Sequence, residues 1–434
     1  MKPKVLLYNL PPSGGDHFPI SLGYIAASLA MHGIESALAE IDVITPRTGQ
    51  EIANFVIDFK PAVVGFSVYQ DNIALALALA KLIKTINPRI LVVIGGPQAT
   101  FMPKEALRQM PAVDVIVRGE GEVVLPALVN CLAQGRTFGR VKGIAFRDGK
   151  SYVDTSPQSL IRHLDDFPSP YQTGAFNLKQ HKTASMLTSR GCNFNCSFCY
   201  TPQAFERIIR AHTTSRVLQD MRVCVENNIN KFFFADPSFT FNKERVKAIM
   251  NGIIKRGWQV KIWVETRADL VDRPLLSLMA QAGVNRIAYG LESVDPKVHV
   301  ALNKRIDLKQ FADIIKTTQD AGIDAEVFTL YGLPQQTYAS CLKTIQFLKK
   351  IGVKLTGNSS GQQLVLFWGA DITRNPEKYG VYVPARKRPL YLSAGQFFRT
   401  AYMNRGDMKR VAGRYKLERQ RYKQENPGDC VGIS

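Results

Sequence analysis

The chain has 434 residues, 45% of them hydrophobic and 21% charged, with a formal net charge of +20. That length exceeds one ordinary core and fits two domains plus an extension. Seven scattered cysteines, an odd number, argue against a secreted disulfide framework. The amino terminus shows no signal-peptide pattern and no apolar run is long enough to span a bilayer, so the expected location is cytoplasmic.

Strand-like and helix-like stretches alternate through the first third. "KVLLYNL" precedes "SLGYIAASLAMHG", "PAVVGFSVY" precedes "NIALALALAKLIKTI", "RILVVIGG" precedes a helix near 103–110, and "VDVIVRG" precedes "EVVLPALVNCLAQG". Buried strands between amphipathic helices predict a doubly wound, Rossmann-like α/β sheet over residues 1–142. Ligands of such sheets sit beyond the carboxyl ends of the strands. The glycines and small polar residues fall there, in "PPSGGDHF", "SVYQ", "GGPQAT" and "RGEGE". No GxGxxG follows the first strand, which excludes the dinucleotide fingerprint. A flavodoxin-like receiver would need an acidic pair in the first loop, and prolines stand there instead.

A linker over 143–180 leads to "TASMLTSRGCNFNCSFCY", with Cys192, Cys196 and Cys199 spaced C-x3-C-x2-C. Zinc ribbons and four-thiolate clusters want a fourth ligand. Cys224, Cys341 and Cys430 stand alone, and a zinc knuckle completed by His181 or His212 lacks motif spacing. Four further strand-like segments end in polar residues: Asp236 and Ser238, Glu265 and Arg267, Gly290 with Glu292 and Ser293, and Gly332, Leu333 and Pro334. Carboxylates and hydroxyls suit an ammonium group and a ribose, and arginine suits a carboxylate. "VLFWGADIT" at 365–373 reads as a sixth strand and turn, with Trp368 where a proline is expected. Residues 386–423 carry twelve Lys or Arg against Asp407 and Glu418, a basic C-terminal extension over 386–434 that reads as a solvated face or a dock for an acidic partner.

These motifs resemble the cobalamin-dependent (class B) radical S-adenosylmethionine (SAM) methyltransferase family. The resemblance implies a cobalamin-binding domain followed by a partial (β/α)6 radical SAM barrel over 181–385. It assigns a 4Fe-4S cluster to Cys192, Cys196 and Cys199, with one iron left for SAM. It implies SAM contacts from Phe198, Asp236, Ser238, Glu265, Arg267, Glu292, Ser293, Gly332 and Leu333. Cobalamin contacts are implied for Pro12, Ser13, Ser67, Tyr69, Gln70, Gly95, Gly96, Pro97, Gln98, Arg118, Gly119, Glu120 and Gly121. The Asp-x-His-x-x-Gly motif that supplies a lower axial histidine does not occur, since His17 follows Asp16 directly.

The implied reaction uses two SAM per turnover, one to methylate cobalamin and one to give a 5′-deoxyadenosyl radical that activates an unactivated carbon. An electron donor of flavodoxin or ferredoxin type is the expected partner, and the basic end suits an acidic peptide or protein substrate. The glutamine C-methyltransferase of methyl-coenzyme M reductase is one candidate of this size. A cobalamin-dependent cyclase or oxygen-inserting enzyme would share every motif, as would a non-catalytic cobalamin or Fe-S sensor. No nucleic-acid recognition module is readable.

Overall fold

In the computed structural model, residues 3–10, 18–41, 45–355, 360–385 and 388–426 are described. The chain divides into two compact units. The first is Met1–His181 with Arg222–Asn227 and Lys387–Ser393, and the second is Lys182–Met221, Asn228–Arg386 and Ala394–Ser434.

The first unit opens with β1 (Val5–Asn9), α1 (Ile20–Met31), β2 (Ser36–Glu40), α2 (Pro46–Phe59), β3 (Val63–Ser67) and α3 (Ile73–Ile86). It continues through β4 (Leu91–Gly95), the short α4 (Pro97–Thr100), β5 (Val115–Val117) and α5 (Gly121–Ala133). The sheet order is β2-β1-β3-β4-β5-β6-β7, with β1 to β5 parallel. Apolar residues fill both faces because helices cover both. Leu6, Tyr8, Val64, Phe66, Val92 and Ile94 join one core with α3. Val5, Leu7, Val63, Val93 and Val115 join the other with α1 and α5.

The expected linker 143–180 is no bare connector. It begins with β6 (Ile144–Asp148) and β7 (Ser151–Asp154), a hairpin that extends the sheet antiparallel. The cause is local: "IAFRDGKSYVD" places Gly149, at φ +58°, in a tight turn between two alternating stretches.

The second unit starts with β8 (Thr183–Met186), β9 (Ser189–Arg190), α6 (Thr201–Ala204), β10 (Arg210–Ala211) and α7 (Thr214–Glu226), whose last turn counts with the first unit. Then come β11 (Lys231–Phe234), α8 (Lys243–Lys255), β12 (Lys261–Thr266), α9 (Arg273–Gln281) and β13 (Val284–Glu292). After these lie α10 (Pro296–Ala301), α11 (Leu308–Asp320), β14 (Asp324–Tyr331), α12 (Tyr338–Lys350) and β15 (Gln362–Gln363). The six-stranded parallel sheet runs β15-β14-β13-β12-β11-β8, the order of an open half-barrel. Its sixth strand is only Gln362–Gln363, a few residues before the expected "VLFWGADIT". From Leu366 onward the chain instead bridges Gly395 and turns into α13 (Asp371–Arg374).

After the short pair β16 (Val381–Tyr382) and β17 (Arg399–Thr400), the basic end forms α14 (Arg405–Glu425), which is not a loose extension. Tyr415 and Glu418 are buried, and the Tyr415 ring occupies the space a Cβ at Gly361 would need. No helix among the described residues is long and apolar enough to cross a membrane.

Candidate active site

The carboxyl edge of the first sheet is built mostly from backbone. At the end of β4, Gly96 has φ +93°, and a Cβ there would stand 2.9 Å from Ser67 Oγ and 3.1 Å from Val68 N. Only glycine meets both demands. Gly119, after β5, has φ +70° with nothing within 4 Å of an added Cβ, so its turn faces open space. Tyr69 leaves 38% of its surface exposed beside this edge. Buried Asn72 accepts from Tyr69 N–H and donates to Leu10 O and Ser67 O, tying the ends of β1 and β3 together. Open glycine turns beside an exposed aromatic fit a broad, flat ligand.

The polar side chains expected at this edge are held by the protein itself. Arg118 pairs with Asp154 and donates to Thr100 O, while the buried Glu120 accepts from Ile161 N–H. Gln98 donates to Tyr391 O, and Gln70 accepts from Ser393. Pro12, Ser13 and His17 lie outside the described residues.

In the second unit the cysteine loop hangs between β9 and α6. Gly191 enters it at φ +91°, with Ile208 O 2.0 Å from where a Cβ would be. Ser197 donates from its N–H to Leu302 O and from its hydroxyl to Ala301 O, and Asn303 donates to Asn195 O. The turn after α10 therefore sets the loop's path. Asp236, with no exposed surface, accepts from Thr188 N–H, Thr188 Oγ1 and Ser189 Oγ at 2.6–2.7 Å. It braces the strand leading into the cysteines, so its carboxylate is engaged inside the protein.

Cys192, Cys196 and Cys199 are each partly exposed. Burial pushes all three thiols up, while the nearby Lys304 charge acts in the opposite direction on each. Arg267 does the same for Cys192 and Cys196. Arg267 also lies 4.0 Å over the Phe194 ring and grips Asp269 with two hydrogen bonds. Lys304 forms a 2.8 Å ion pair with Glu292, each side chain only 6% exposed. The sequence reading did not single out Lys304. Its place in "ALNKRID" carries no signal until the fold buries it against Glu292.

Among the described residues no group of three His, Cys, Asp or Glu side chains could hold a single metal ion. Three thiols in one short loop suit a polynuclear cluster, in which each sulfur takes its own iron. After β11, Ser238 is buried with a hydroxyl that meets no partner among the described residues. Ser293 Oγ accepts from Asp295 N–H. Phe198 is half-buried, and Gly332 turns at φ +82°. Leu333 is wholly buried, so its side chain packs the core.

Comparison with known proteins matches both halves. Residues 10–129 match the B12 binding domain, and residues 186–348 match the radical SAM superfamily. The chain thus joins a B12 binding domain to a radical SAM domain and resembles the cobalamin-dependent radical SAM methyltransferases. It is 29% identical to an uncharacterized methyltransferase of Pyrococcus horikoshii, over 81% of this chain and 79% of that protein. It is 30% identical to the anaerobic magnesium-protoporphyrin IX monomethyl ester cyclase of Cereibacter sphaeroides, over 68% of this chain and 51% of that one. The radical SAM methyltransferase TsrM of Kitasatospora setae, solved with cobalamin and a 4Fe-4S cluster, shares the fold with a TM-score of 0.79. That match, at 17% identity, covers 97% of this chain and 89% of the TsrM chain.

Proposed function

We propose that this enzyme transfers a methyl group to an unactivated carbon of a peptide or protein residue. In this reading Cys192, Cys196 and Cys199 hold a 4Fe-4S cluster, SAM lies against the second sheet's strand ends, and cobalamin lies over the Gly95–Gly96 and Gly119 turns. When bound, these groups supply the one-electron and methyl-carrying chemistry.

The chain's own residues bind and orient. Gly191 and the turn after α10 shape the loop that carries the three thiols. Lys304 and Arg267 place positive charge beside them, which favours thiolates and a net-negative cluster. Ser238 offers an unused hydroxyl for a polar atom of SAM. Exposed basic residues of α14, including Lys409, Lys416 and Lys423, support an acidic macromolecular substrate.

The observation that carries the reading is the group of three neighbouring, partly exposed thiols flanked by Lys304 and Arg267. The similarity to a cyclase supports a second reading, cyclisation of a small molecule. Anaerobic incubation with reductant, cobalamin and methyl-labelled SAM, against candidate peptides and tetrapyrroles, separates the two. Label in a peptide carbon, with S-adenosylhomocysteine and 5′-deoxyadenosine, supports methyl transfer. An unlabelled, ring-closed product overturns it.

A further inference from the structure

The six-stranded sheet has two unlike faces. Ala184, Phe232, Phe234, Ile262, Val264, Ile287, Tyr289 and Val327 are buried on one. Tyr289 there meets Phe311 and Thr318 of α11, so this is the helix-covered face. The residues between them point the other way and, apart from the buried Ala288, keep some exposed surface. One row runs Phe233, Trp263, Arg286, Asp324 across neighbouring strands, and the next runs Glu265, Ala288, Glu326.

On this concave face Phe233 stacks on Trp263 at 4.4 Å between ring centroids. Arg286 approaches Glu326 at 3.4 Å and Asp324 at 3.8 Å. Glu265 faces Glu326 across the small Ala288, and the sheet gives it no hydrogen bond and no ion pair. Trp263 Nε1 is sealed from solvent and donates to nothing among the described residues. Around Glu265 the strand register gathers Glu326, Asp324 and Arg286, while Lys231 and Lys261 lie on the same face at the amino ends of their strands.

We propose that the concave face is the substrate floor and takes an organic cation, a protonated amine or guanidinium on an apolar stem, with Glu265 and Glu326 holding the cation. The stem rests on the Phe233–Trp263 wall. The identification of this ligand as substrate rests on the methyltransferase reading, whereas the cation preference does not. Burial, then the nearby Glu326 charge, pushes the Glu265 carboxyl up to about 7. The charged groups sharing its face are Glu326, Asp324 and Arg286, with Lys231 and Lys261 at the amino ends of β11 and β12. β11 contributes Phe233 and Lys231 to this face. Cation binding should therefore strengthen as pH rises through about 7.

The test is calorimetric titration of the intact chain with 2-phenylethylammonium and, as a charge-reversed control, 3-phenylpropionate. At pH 8 the amine should bind at least about tenfold more tightly than the acid, and Glu265→Gln should remove most of that preference. Between pH 6 and pH 8 amine affinity should rise about tenfold in the parent chain and stay flat in Glu265→Gln. If Glu265→Gln melts early, Glu326→Gln carries the same comparison. Equal affinity for amine and acid overturns the proposal, as does an unchanged preference in both variants. Displacement of the amine by SAM, one for one, also overturns it by giving Glu265 to SAM. Failure of methyl transfer on every peptide, with amine binding intact, removes the methyltransferase reading and leaves the cation site standing.

Discussion

The carboxyl edges of the two sheets solve ligand binding in different ways. The first presents backbone: glycine turns at Gly96 and Gly119, with Arg118, Glu120, Gln70 and Gln98 tied into the protein. The second presents chemistry: three thiols, a buried Lys304–Glu292 pair and a Ser238 hydroxyl with no partner among the described residues. A large flat ligand can be chosen by shape, because steric exclusion needs no charge. A cluster and a small zwitterion must be chosen by donor type and charge. Mutations should therefore act through space at one edge and through electrostatics at the other.

The sharpest test of that contrast is the triple change of Cys192, Cys196 and Cys199 to Ala. Anaerobic reconstitution should give about four irons per parent chain and essentially none in the variant. Cobalamin retention, read by visible absorbance, should be unaffected. Stoichiometric zinc in place of iron would break the comparison at its stronger side.

Next in size is Lys304→Met, which leaves Glu292 buried without its counter-charge. Thermal or denaturant melting should show a loss of about 3–5 kcal/mol. The double change Lys304→Met with Glu292→Gln should recover much of it. A single variant as stable as the parent would mean that the pair is solvated.

A milder effect follows from Glu265. Its folded pKa, about 7, lies above the ordinary 4.5, so the folded state holds the proton more tightly. The resulting stability is present below about 4.5 and is lost as pH rises through about 7. Glu265→Gln should flatten melting temperature between pH 5 and 8 and leave the variant more stable at pH 8. Because the side chain is partly exposed, the gain should be about 1–2 kcal/mol, less than the full linkage value. A parent curve that is already flat sinks this.

At the first edge, Gly96→Ala and Gly119→Ala both force a side chain to positive φ, at about 1–3 kcal/mol each. Only Gly96→Ala also crowds Ser67 and Val68, so it should melt lower. Gly119→Ala should keep most of its stability and still lose cobalamin, because its methyl enters the open space. Full cobalamin retention in Gly119→Ala would argue against selection by shape.

The smallest expected effect is at α14. Arg414 and Arg421 both lean on the buried Glu418, and Arg419 donates to Ser360 O. Reversal should therefore target Lys409, Lys416 and Lys423. For an acidic peptide KM should rise severalfold at low salt with little change in kcat, and the difference should fade as salt screens the charges. Unchanged KM returns the helix surface to ordinary solvation.

The βα alternation and the cysteine spacing were legible in the sequence because each is a local signal. Repeating apolar runs dictate a wound sheet, and C-x3-C-x2-C confines three thiols to one loop. The partner of each polar residue was not legible. Asp236 carries the same letters whether it meets a ligand or braces Thr188 and Ser189, and only the fold decides. Lys304 is mute for the same reason, since its partner Glu292 lies in another element. The hairpin at 144–154 could have been read from its Asp-Gly turn, but the expected linker concealed it. The acidic row needs strand register, which comes from pairing β12, β13 and β14 and from no single stretch of chain.

Gln98 meets a residue 293 positions later in the chain, and Tyr391 and Leu392 pack against the core of the first unit. A growing polypeptide makes most of that unit early, yet the last piece leaves the ribosome only after nearly all of the half-barrel has been synthesised. The nascent first unit must wait with an apolar seam uncovered, in need of protection by a chaperone or of rapid elongation. A ribosome that stalls between residues 200 and 380 would therefore leave a sheet already wound but without its final covering segment.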